Sequence, residues 1–600
     1  MAGVDDIFKG DPPEDFDADK NRQQRSGAPG SKRKLEAVKD PSEIYKAGKL
    51  SAKEPNRRAH VADDRRDGGE AGYDNDDDDY GPALPPGDEN DAGEDDEGRF
   101  FGGGISKQES QILDFVDEAG TADEAPDKID AAWLRKTVLS FEKRITKNAE
   151  LRAKHEHDPQ RFIGSEADLD SDIKGLSILS EHPELYPEFV KLGSVNSLVG
   201  LLAHENTDIA IDVLEIIGEL TDEDVSAQDD QWDLLVDALM EADLIGLLGS
   251  NLSRLNEDDE ADRNGVYYAL GIIENLSSRS ATATRIAQEG TLLQWLLQRI
   301  RRSESPVSQN KQYAAEVVAI LSQASLENCQ QLAILDTVDT LLQLVSTYRN
   351  RDPDKGSEEE EYMENLFEAL TCIADQPLGK TKFLEAEGVE LCLIMLKDGK
   401  KSKFPALRLL DHACGGASGA RVCLKIVEAG GLKGVFTLFI KSKDNRLLTH
   451  LLGLFASMLR LLPGESAERI RTLAKFVEKD YEKTAKLVRL HGEYSTRVQR
   501  AAQEYAPGDA EDDEAAEIAL LSRRLDAGLF SLQQIDVALA WLVAEDVGAR
   551  KKIKQLLEEK GGRLSDLAEV LSEQQKGLDV SEEDSRDLSD MLGILMTFLR

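Results

Sequence analysis

A turn followed by a leucine-rich helix recurs along the middle of this chain, and this repeat restricts the possible folds more than any other feature. The copies lie near six anchor positions spaced 50, 47, 46, 52 and 42 residues apart: Gly193, Asp243, Gly290, Asp336, Gly388 and Gly430. Glycine allows the backbone angle that a tight interhelix turn needs, and Leu at three- and four-residue spacing buries the helix that follows. The pattern predicts a helical solenoid.

Composition agrees with this fold and divides the chain. Leu, Glu, Ala and Lys dominate and aromatic residues are 6%, so we predict an all-α, armadillo/HEAT-like solenoid with a disordered acidic N-terminal region. The acidic insertions Glu257–Asp262 and Asn350–Glu361 are expected to be loops. Four regions are predicted: a disordered acidic segment with short basic clusters (1–107), capping helices (108–165), armadillo-like repeats (166–440), and C-terminal helical repeats and cap with an acidic linker near 509–514.

The formal net charge of -43 argues against direct binding of nucleic acid and favours basic partners. Five cysteines share no metal-binding spacing and sit in apolar helical runs, so we interpret them as reduced core thiols. The sequence contains neither a signal peptide nor an apolar run of about 18 residues, so no membrane association is expected. It indicates a soluble protein that needs no cofactor or metal.

The N-terminal region carries one basic cluster of interest, Lys32, Arg33 and Lys34, with Arg57 and Arg58 further along. The first cluster is a candidate nuclear localisation signal, although three basic residues often occur together by chance. Sixteen acidic residues between Asp63 and Glu97 form a run best interpreted as a solvated spacer. A contact with a basic protein tail is the alternative for that run.

The third helix of each repeat should line the groove of an armadillo-type solenoid. Aligning these helices on their ends places acidic, tyrosine and asparagine residues in a row, which we call the acidic ladder: Asp212, Glu215, Glu219, Tyr268, Asn275, Tyr313, Glu316, Asn365 and Glu368. Carboxylates there can pair with the Lys and Arg side chains of an extended peptide, and tyrosines can pack on their stems. Alternatively, carboxylates on solvated helix faces line up by chance in so acidic a protein.

Several motifs resemble the beta-catenin-like protein 1 family. They include Leu139–Arg144, Asp158–Phe162, Leu201–Asp208, Gly290–Leu297 and Arg523–Phe530, and the resemblance covers about residues 130–560. It implies a nuclear armadillo-repeat protein of the spliceosome, associated with the nineteen complex. It also implies binding to basic segments of splicing proteins, notably the cell-division-cycle-five-like protein. The N-terminal region and the stretch after Asp444 depart from the family pattern, which puts partner contacts made there in doubt.

Two other functional classes compete with a splicing scaffold. A nuclear transport adaptor would also recognise basic signals, but it would repeat Trp-to-Asn steps along its third helices, and Gly271 stands one turn before Asn275. An enzyme is disfavoured, because the sequence has no phosphate-binding glycine loop, nucleophile elbow or HExxH motif. The late helices could cap the solenoid or support a homodimer, and the sequence does not choose between these roles.

Overall fold

The computed structural model describes residues 128–505, 513–578 and 583–600, and within these ranges the chain consists of helices joined by turns, with no β-strand. The predicted all-α solenoid is therefore confirmed. The Lys32–Lys34 cluster, the acidic spacer and most of the linker near 509–514 lie outside the described residues. The division into four regions stays a prediction.

Six successive groups of three helices form the repeats, and in each group the second helix begins at a predicted anchor or within two residues after it. The groups are Tyr186–Lys191, Ser194–Gly200 and Thr207–Thr221; Asp229–Glu241, Leu244–Arg254 and Glu260–Leu276; Ser280–Gln288, Gly290–Arg301 and Gln309–Ala324; Leu326–Ile334, Thr337–Val345 and Glu358–Asp375; Pro377–Glu385, Gly388–Asp398 and Lys403–Cys414; and Ala420–Glu428, Leu432–Lys441 and Asn445–Leu461. The leucine-rich segments after the anchors thus form the second helix of each group.

The anchors make the turn into the second helix in two ways. The residue before that helix, or one further back, has a left-handed backbone in five of the six groups: Gly193, Asp243, Asp336, Glu387 and Gly430, with φ between 55° and 77°. The third group differs because Glu289 stays extended and its carboxylate accepts from the Thr291 backbone N–H. Side-chain capping replaces the left-handed residue there, because it satisfies one of the free N–H groups of the helix start.

The third helices contact one another in chain order and form a continuous row. Polar side chains cap the first turns of five of them, which fixes where each helix begins: Asn206, Asp259, Ser308, Ser357 and Asp444. Glu358–Glu361, predicted to lie in a loop, form the first turn of the third helix in the fourth group. Four carboxylates are favourable at that position because the N-terminus of a helix carries partial positive charge.

Helices on both sides of the repeats extend the row. Ala131–Lys154 and Ile163–Gly175 precede the first group, and the helices after the sixth are Ala467–Gln503, Asp513–Asp526, Leu529–Glu545, Val547–Glu558, Leu564–Lys576 and Glu583–Phe598. The helix Ala467–Gln503 is divided by a kink of non-helical backbone at residues 478–481. Asp513–Asp526 and Leu529–Glu545 are separated by a turn at Gly528, whose φ is 100°. Leu529–Glu545 packs against the third helix of the sixth group, so the row continues beyond residue 440.

Within the described ranges, no single helix is both long and apolar enough to cross a membrane. The bent pair Ala516–Asp526 and Leu529–Glu545 meets the same requirement by length and composition alone. The second member of this pair is largely buried, with Ile535 and Leu539 inaccessible to solvent. Its apolar residues therefore form part of the protein core.

Candidate functional site: the acidic ladder

The ladder begins at Asp212, which is 9% exposed and lies beside a second carboxylate. The Lys174 ammonium is 3.3 Å from the Asp212 carboxylate and 2.5 Å from that of Asp170. Burial and the hydrogen bond with Asp170 raise the pKa of Asp212 to about 7, because a buried carboxylate next to another resists ionisation. This rung consequently changes charge near neutral pH.

Glu215, Glu219 and Tyr268 are half-buried and lie on the first two third helices. The Tyr268 hydroxyl donates to Glu215 at 3.0 Å, and the Ser177 hydroxyl donates to Glu219. Burial, with the nearby Glu215 charge, raises the pKa of Tyr268 to about 12, so the hydroxyl remains a donor. These hydrogen bonds orient the two carboxylates, and both donors are uncharged hydroxyl groups.

Asn275 joins the ends of the first two third helices. Its side-chain amide donates to the Gly218 carbonyl at 3.1 Å and to the Thr221 hydroxyl at 3.3 Å. The residue is only 8% exposed, and these bonds engage its amide nitrogen within the fold. Its observed contacts hold neighbouring repeats in register, while a contact with a peptide stays a prediction.

Tyr313 and Glu316 are more deeply buried than ladder residues on the earlier helices, at 3% and 5% exposure. The Tyr313 hydroxyl donates to Glu274, and the Gln312 amide donates to Glu316 at 2.8 Å. Tyr313 also lies against Tyr267, with ring centroids 5.1 Å apart. The structure thus gathers aromatic rings and carboxylates at the centre of the row.

Basic side chains accompany the carboxylates at the far end of the row. Asn365 is 6% exposed, and Glu368, one turn further along, forms an ion pair with Arg408 of the next third helix. Both side chains of this pair are at most 12% exposed. The next position repeats the pattern, because Asp411 lies 3.0 Å from the ring Nδ1 of buried His450. Carboxylates in this half are bonded to basic side chains of the same row.

The central cluster around Tyr313 and Glu316 contains three residues that were not among the predicted ladder residues: Tyr267, Glu274 and Gln312. Glu274 was overlooked because its neighbour Asn275 occupies the aligned position, and Tyr267 because Tyr268 does. A usable signal existed, since Tyr267, Gly271 and Glu274 follow one another at helical spacings of four and three residues. The predicted nuclear localisation signal, Lys32, Arg33 and Lys34, lies outside the described residues.

The described residues contain no group of three or more His, Cys, Asp and Glu side chains arranged to hold a metal ion. All five cysteines are free, and four of them are buried. Burial raises the pKa of the Cys329 thiol to about 12, which keeps it protonated and unreactive at neutral pH. The arrangement of the ladder is suited to recognition by charge and shape.

Comparison with known proteins establishes the family. The family model described as "Catenin-beta-like, Arm-motif containing nuclear" matches residues 110–572. The chain belongs to this catenin-beta-like family. The resemblance seen in the sequence is thereby confirmed, and the catenin-beta-like match extends beyond the interval that the motifs covered. Its armadillo-repeat fold is that of a protein-interaction scaffold, and the family description is of nuclear proteins.

Curated relatives carry similar names. The chain is 38% identical over 492 residues to "Beta-catenin-like protein 1 homolog" of Schizosaccharomyces pombe, covering 82% of this chain and 86% of the relative. It is 37% identical over 465 residues to "Beta-catenin-like protein 1" of Homo sapiens, covering 74% and 82%. Among solved structures, a designed armadillo repeat protein is 17% identical with a TM-score of 0.34, covering 44% of this chain and 99% of that one.

Proposed function

We propose that this catenin-beta-like chain is a non-enzymatic scaffold in pre-mRNA splicing, which binds basic, nuclear-localisation-signal-like segments of splicing factors on its acidic ladder. The expected partners are the cell-division-cycle-five-like protein and the nineteen complex, as the family resemblance implies. The observation that carries the proposal is the half-buried group Glu215, Glu219 and Tyr268, which spans two adjacent third helices and whose two carboxylates accept hydrogen bonds from the uncharged hydroxyl groups of Tyr268 and Ser177. The nuclear description of the family supports it.

The chemistry of this group fits an extended Lys- and Arg-rich segment. Carboxylates form charge-assisted hydrogen bonds with ammonium and guanidinium groups, and a tyrosine face attracts a cation or packs on its aliphatic stem. A single exposed ion pair contributes at most about 1 kcal/mol. Useful affinity therefore requires several ladder residues to contact the peptide at once. A linear row of such residues allows an extended peptide to make these contacts together.

Charge reversal of the half-buried carboxylates tests the proposal. We expect the double variant Glu215→Lys, Glu219→Lys to bind a labelled peptide with a Lys-Arg-Lys core at least about tenfold more weakly, a loss of ~1.4 kcal/mol. The measurement is fluorescence anisotropy at fixed ionic strength, because screening weakens surface electrostatics. Circular dichroism should show unchanged helicity.

A matched control variant distinguishes binding at the ladder from a general effect of the protein's net charge. Asp237 and Glu241 are exposed on the helix Asp229–Glu241, away from the third-helix row, and their reversal to Lys changes the total charge by the same amount. This control should keep wild-type affinity. Equal weakening of both double variants would show that the peptide senses total charge, and the ladder model would be abandoned.

Purification of the tagged protein from nuclear extract, followed by mass spectrometry, tests the pathway. Recovery of nineteen-complex subunits that is lost with Glu215→Lys, Glu219→Lys supports the splicing scaffold. Importin-beta with diverse cargo would instead indicate a transport adaptor.

A further inference from the structure

We propose that the third-helix row carries a second binding surface, which takes an acidic block of the same partner segment whose basic block lies on the acidic ladder. This surface, called the basic end, consists of Lys400, Lys403, Phe404, Lys443 and Arg446 in the fifth and sixth groups. The inference deepens the proposed function and rests on it, because an extended segment must already follow the row. It adds a specificity, namely that the preferred segment carries charges of both signs.

Two members of the basic end lie on the face that continues the row. Phe404 stands four residues before Arg408 in the third helix of the fifth group, and Arg446 stands four residues before His450 in that of the sixth. Residues four apart share one face of a helix, so both lie one turn from side chains already placed in the row. The Arg446 guanidinium lies over the Phe404 ring, 5.2 Å from its centroid, and this contact joins the two helices.

The cations of the basic end have few acidic partners within the fold. Lys400, Lys443 and Arg446 are exposed and Lys403 is half-buried. Across the described ranges the three lysines form no ion pair. Arg446 is 3.9 Å from the Asp444 carboxylate, and its side chain is 75% exposed. These positive charges are therefore available to a partner.

The position of these cations opposes the local preference of a helix. The third helices of the first, second and fourth groups have acidic residues in their first turns, among them Asp208, Glu260 and Glu358. In the fifth and sixth groups the first turns contain Lys403 and Arg446 and no acidic residue. Because the N-terminus of a helix carries partial positive charge, a cation there disfavours the helix. Departures from local preference are expected at functional positions, and this one occurs in two consecutive groups.

The contact between Arg446 and Phe404 prepares the guanidinium for a carboxylate. Stacking on the ring restricts the long side chain, so less conformational freedom is lost when a ligand binds. The N–H donors at the edge of the guanidinium form a planar fork that matches the two oxygens of a carboxylate. An Asp or Glu side chain is therefore the ligand that this geometry favours.

A short acidic peptide block fits the basic end better than a nucleic acid does. Glu364 lies four residues before Glu368 in the preceding third helix, as Phe404 does before Arg408, so the row is acidic on that side. The formal net charge of the chain is -43. A nucleic acid carries a charge on every nucleotide and would continue into the acidic part of the row. A segment with one basic and one acidic block instead matches the change of sign along the row.

The spacing of the third helices sets the distance between the two blocks. These helices contact one another in chain order from the first group to the sixth. Adjacent packed helices are about 8–10 Å apart, so the four steps from Glu215 to Phe404 amount to about 32–40 Å. An extended chain covers this distance in about ten to twelve residues at ~3.3 Å each. The preferred segment therefore has its two blocks about ten residues apart.

The test compares two labelled peptides on the full-length protein by fluorescence anisotropy at one ionic strength. Both contain a Lys-Arg-Lys block and a linker of about ten uncharged residues. One then carries the block Glu-Glu-Asp-Glu, and the other carries glutamines in its place. Each peptide is made in both block orders, and the more tightly bound order is compared. We expect the acidic block to tighten binding about fivefold, because several exposed ion pairs act together. The double variant Lys403→Gln, Arg446→Gln should lose this gain and bind the glutamine peptide as wild type does.

A matched control variant removes one Lys and one Arg elsewhere in the sixth group. Arg421 and Lys433 are exposed, and each is the second residue of its helix, Ala420–Glu428 and Leu432–Lys441. Neither helix belongs to the third-helix row, so Arg421→Gln, Lys433→Gln should keep the full gain from the acidic block. Circular dichroism should show the same helicity for both double variants, because loss of a cation from the first turn does not weaken a helix.

The outcomes separate this inference from the proposed function. Equal affinity of wild type for the two peptides overturns the inference and leaves the proposed function intact, provided that Glu215→Lys, Glu219→Lys still weakens binding of the glutamine peptide. A gain that survives in Lys403→Gln, Arg446→Gln, or that is lost equally in the control variant, also overturns the inference. Failure of wild type to bind the glutamine peptide removes the proposed function and this inference with it.

Two further measurements address other occupants of the basic end. Labelled single-stranded RNA that binds wild type and not Lys403→Gln, Arg446→Gln, with no gain from the acidic block, would assign the surface to nucleic acid and overturn the inference. Sedimentation of the protein alone addresses a second copy of the chain. Self-association that is lost in the same double variant would show that another copy occupies the surface, which also contradicts the inference.

Discussion

Carboxylates in the two halves of the third-helix row have different hydrogen-bond partners. In the first half, Glu215 and Glu219 accept hydrogen bonds from the hydroxyl groups of Tyr268 and Ser177. In the second half, Glu368 is bonded to Arg408 and Asp411 to His450, and all four side chains are buried or nearly so. A row of carboxylates therefore does not define a binding surface by itself. The side chain that a neighbouring helix places opposite each carboxylate decides whether that carboxylate is paired with a basic group inside the fold.

The largest expected effect comes from separating the buried pair in the second half. Arg408→Met leaves the Glu368 carboxylate buried without the guanidinium, and we expect the free energy of unfolding to fall by about 3–5 kcal/mol. Chemical denaturation measures this loss. The double variant Arg408→Met, Glu368→Gln should recover most of the lost stability, because no unpaired buried charge then remains. A loss below about 1 kcal/mol in the single variant would show that Glu368 is already well solvated.

Alanine substitutions at two matched glycines test the same comparison, with smaller expected changes in folding stability. Gly453 and Gly218 both lie in third helices, but a Cβ at Gly453 would stand 2.5 Å from the Asp411 carboxylate, whereas at Gly218 its nearest neighbour is Ile272 at 3.9 Å. We expect Gly453→Ala to destabilise by about 1–3 kcal/mol through overpacking. Gly218→Ala should stabilise by about 0.5–1 kcal/mol, since alanine favours helix.

Thermal and chemical unfolding of the two alanine variants provides the check. A stabilising Gly453→Ala would mean that Asp411 moves away from His450 at little cost, and the second half would then be less tightly packed than the structure indicates. Equal effects at both positions would remove the distinction between the halves.

Sequence reasoning recovered the helices of both halves but not this difference between them. Leucine periodicity and polar breaks are local signals, and the third helices of the first, second and fifth groups end beside such breaks at Thr221, Leu276 and Cys414. The pairing of Glu368 with Arg408 joins residues 40 positions apart, and it depends on how two helices are rotated against each other. Leucine periodicity does not specify how the two helices are rotated against each other.

The same limit explains the central cluster. Glu316 was predicted as a solvent-facing rung, yet it is 5% exposed, and the Tyr313 beside it bonds to Glu274, not to the aligned Asn275. A one-residue difference in register between neighbouring helices decides which of two adjacent polar residues meets its partner. The side of the helix could be predicted from the sequence, whereas the individual contact required the structure.

The smallest expected effect is a pH dependence at the start of the ladder. Burial and the bond with Asp170 raise the pKa of Asp212 to about 7, well above its ordinary 3.8. Between pH 6 and 8 this carboxylate becomes ionised, so we expect affinity for a basic peptide to rise about two- to threefold over that interval. Because ionisation is disfavoured in the folded state, folding stability contributed by Asp212 should decrease as pH rises from about 4 to 7.

The variant Asp212→Asn isolates this contribution, since it keeps the shape of the side chain and removes its titration. Its peptide affinity should stay level between pH 6 and 8, and its stability should exceed that of wild type more at pH 8 than at pH 5. Wild-type affinity that is flat over this range would assign Asp212 to the internally satisfied rungs, with Glu368. The boundary between the two halves would then lie within the first repeat, between Asp212 and the pair Glu215 and Glu219.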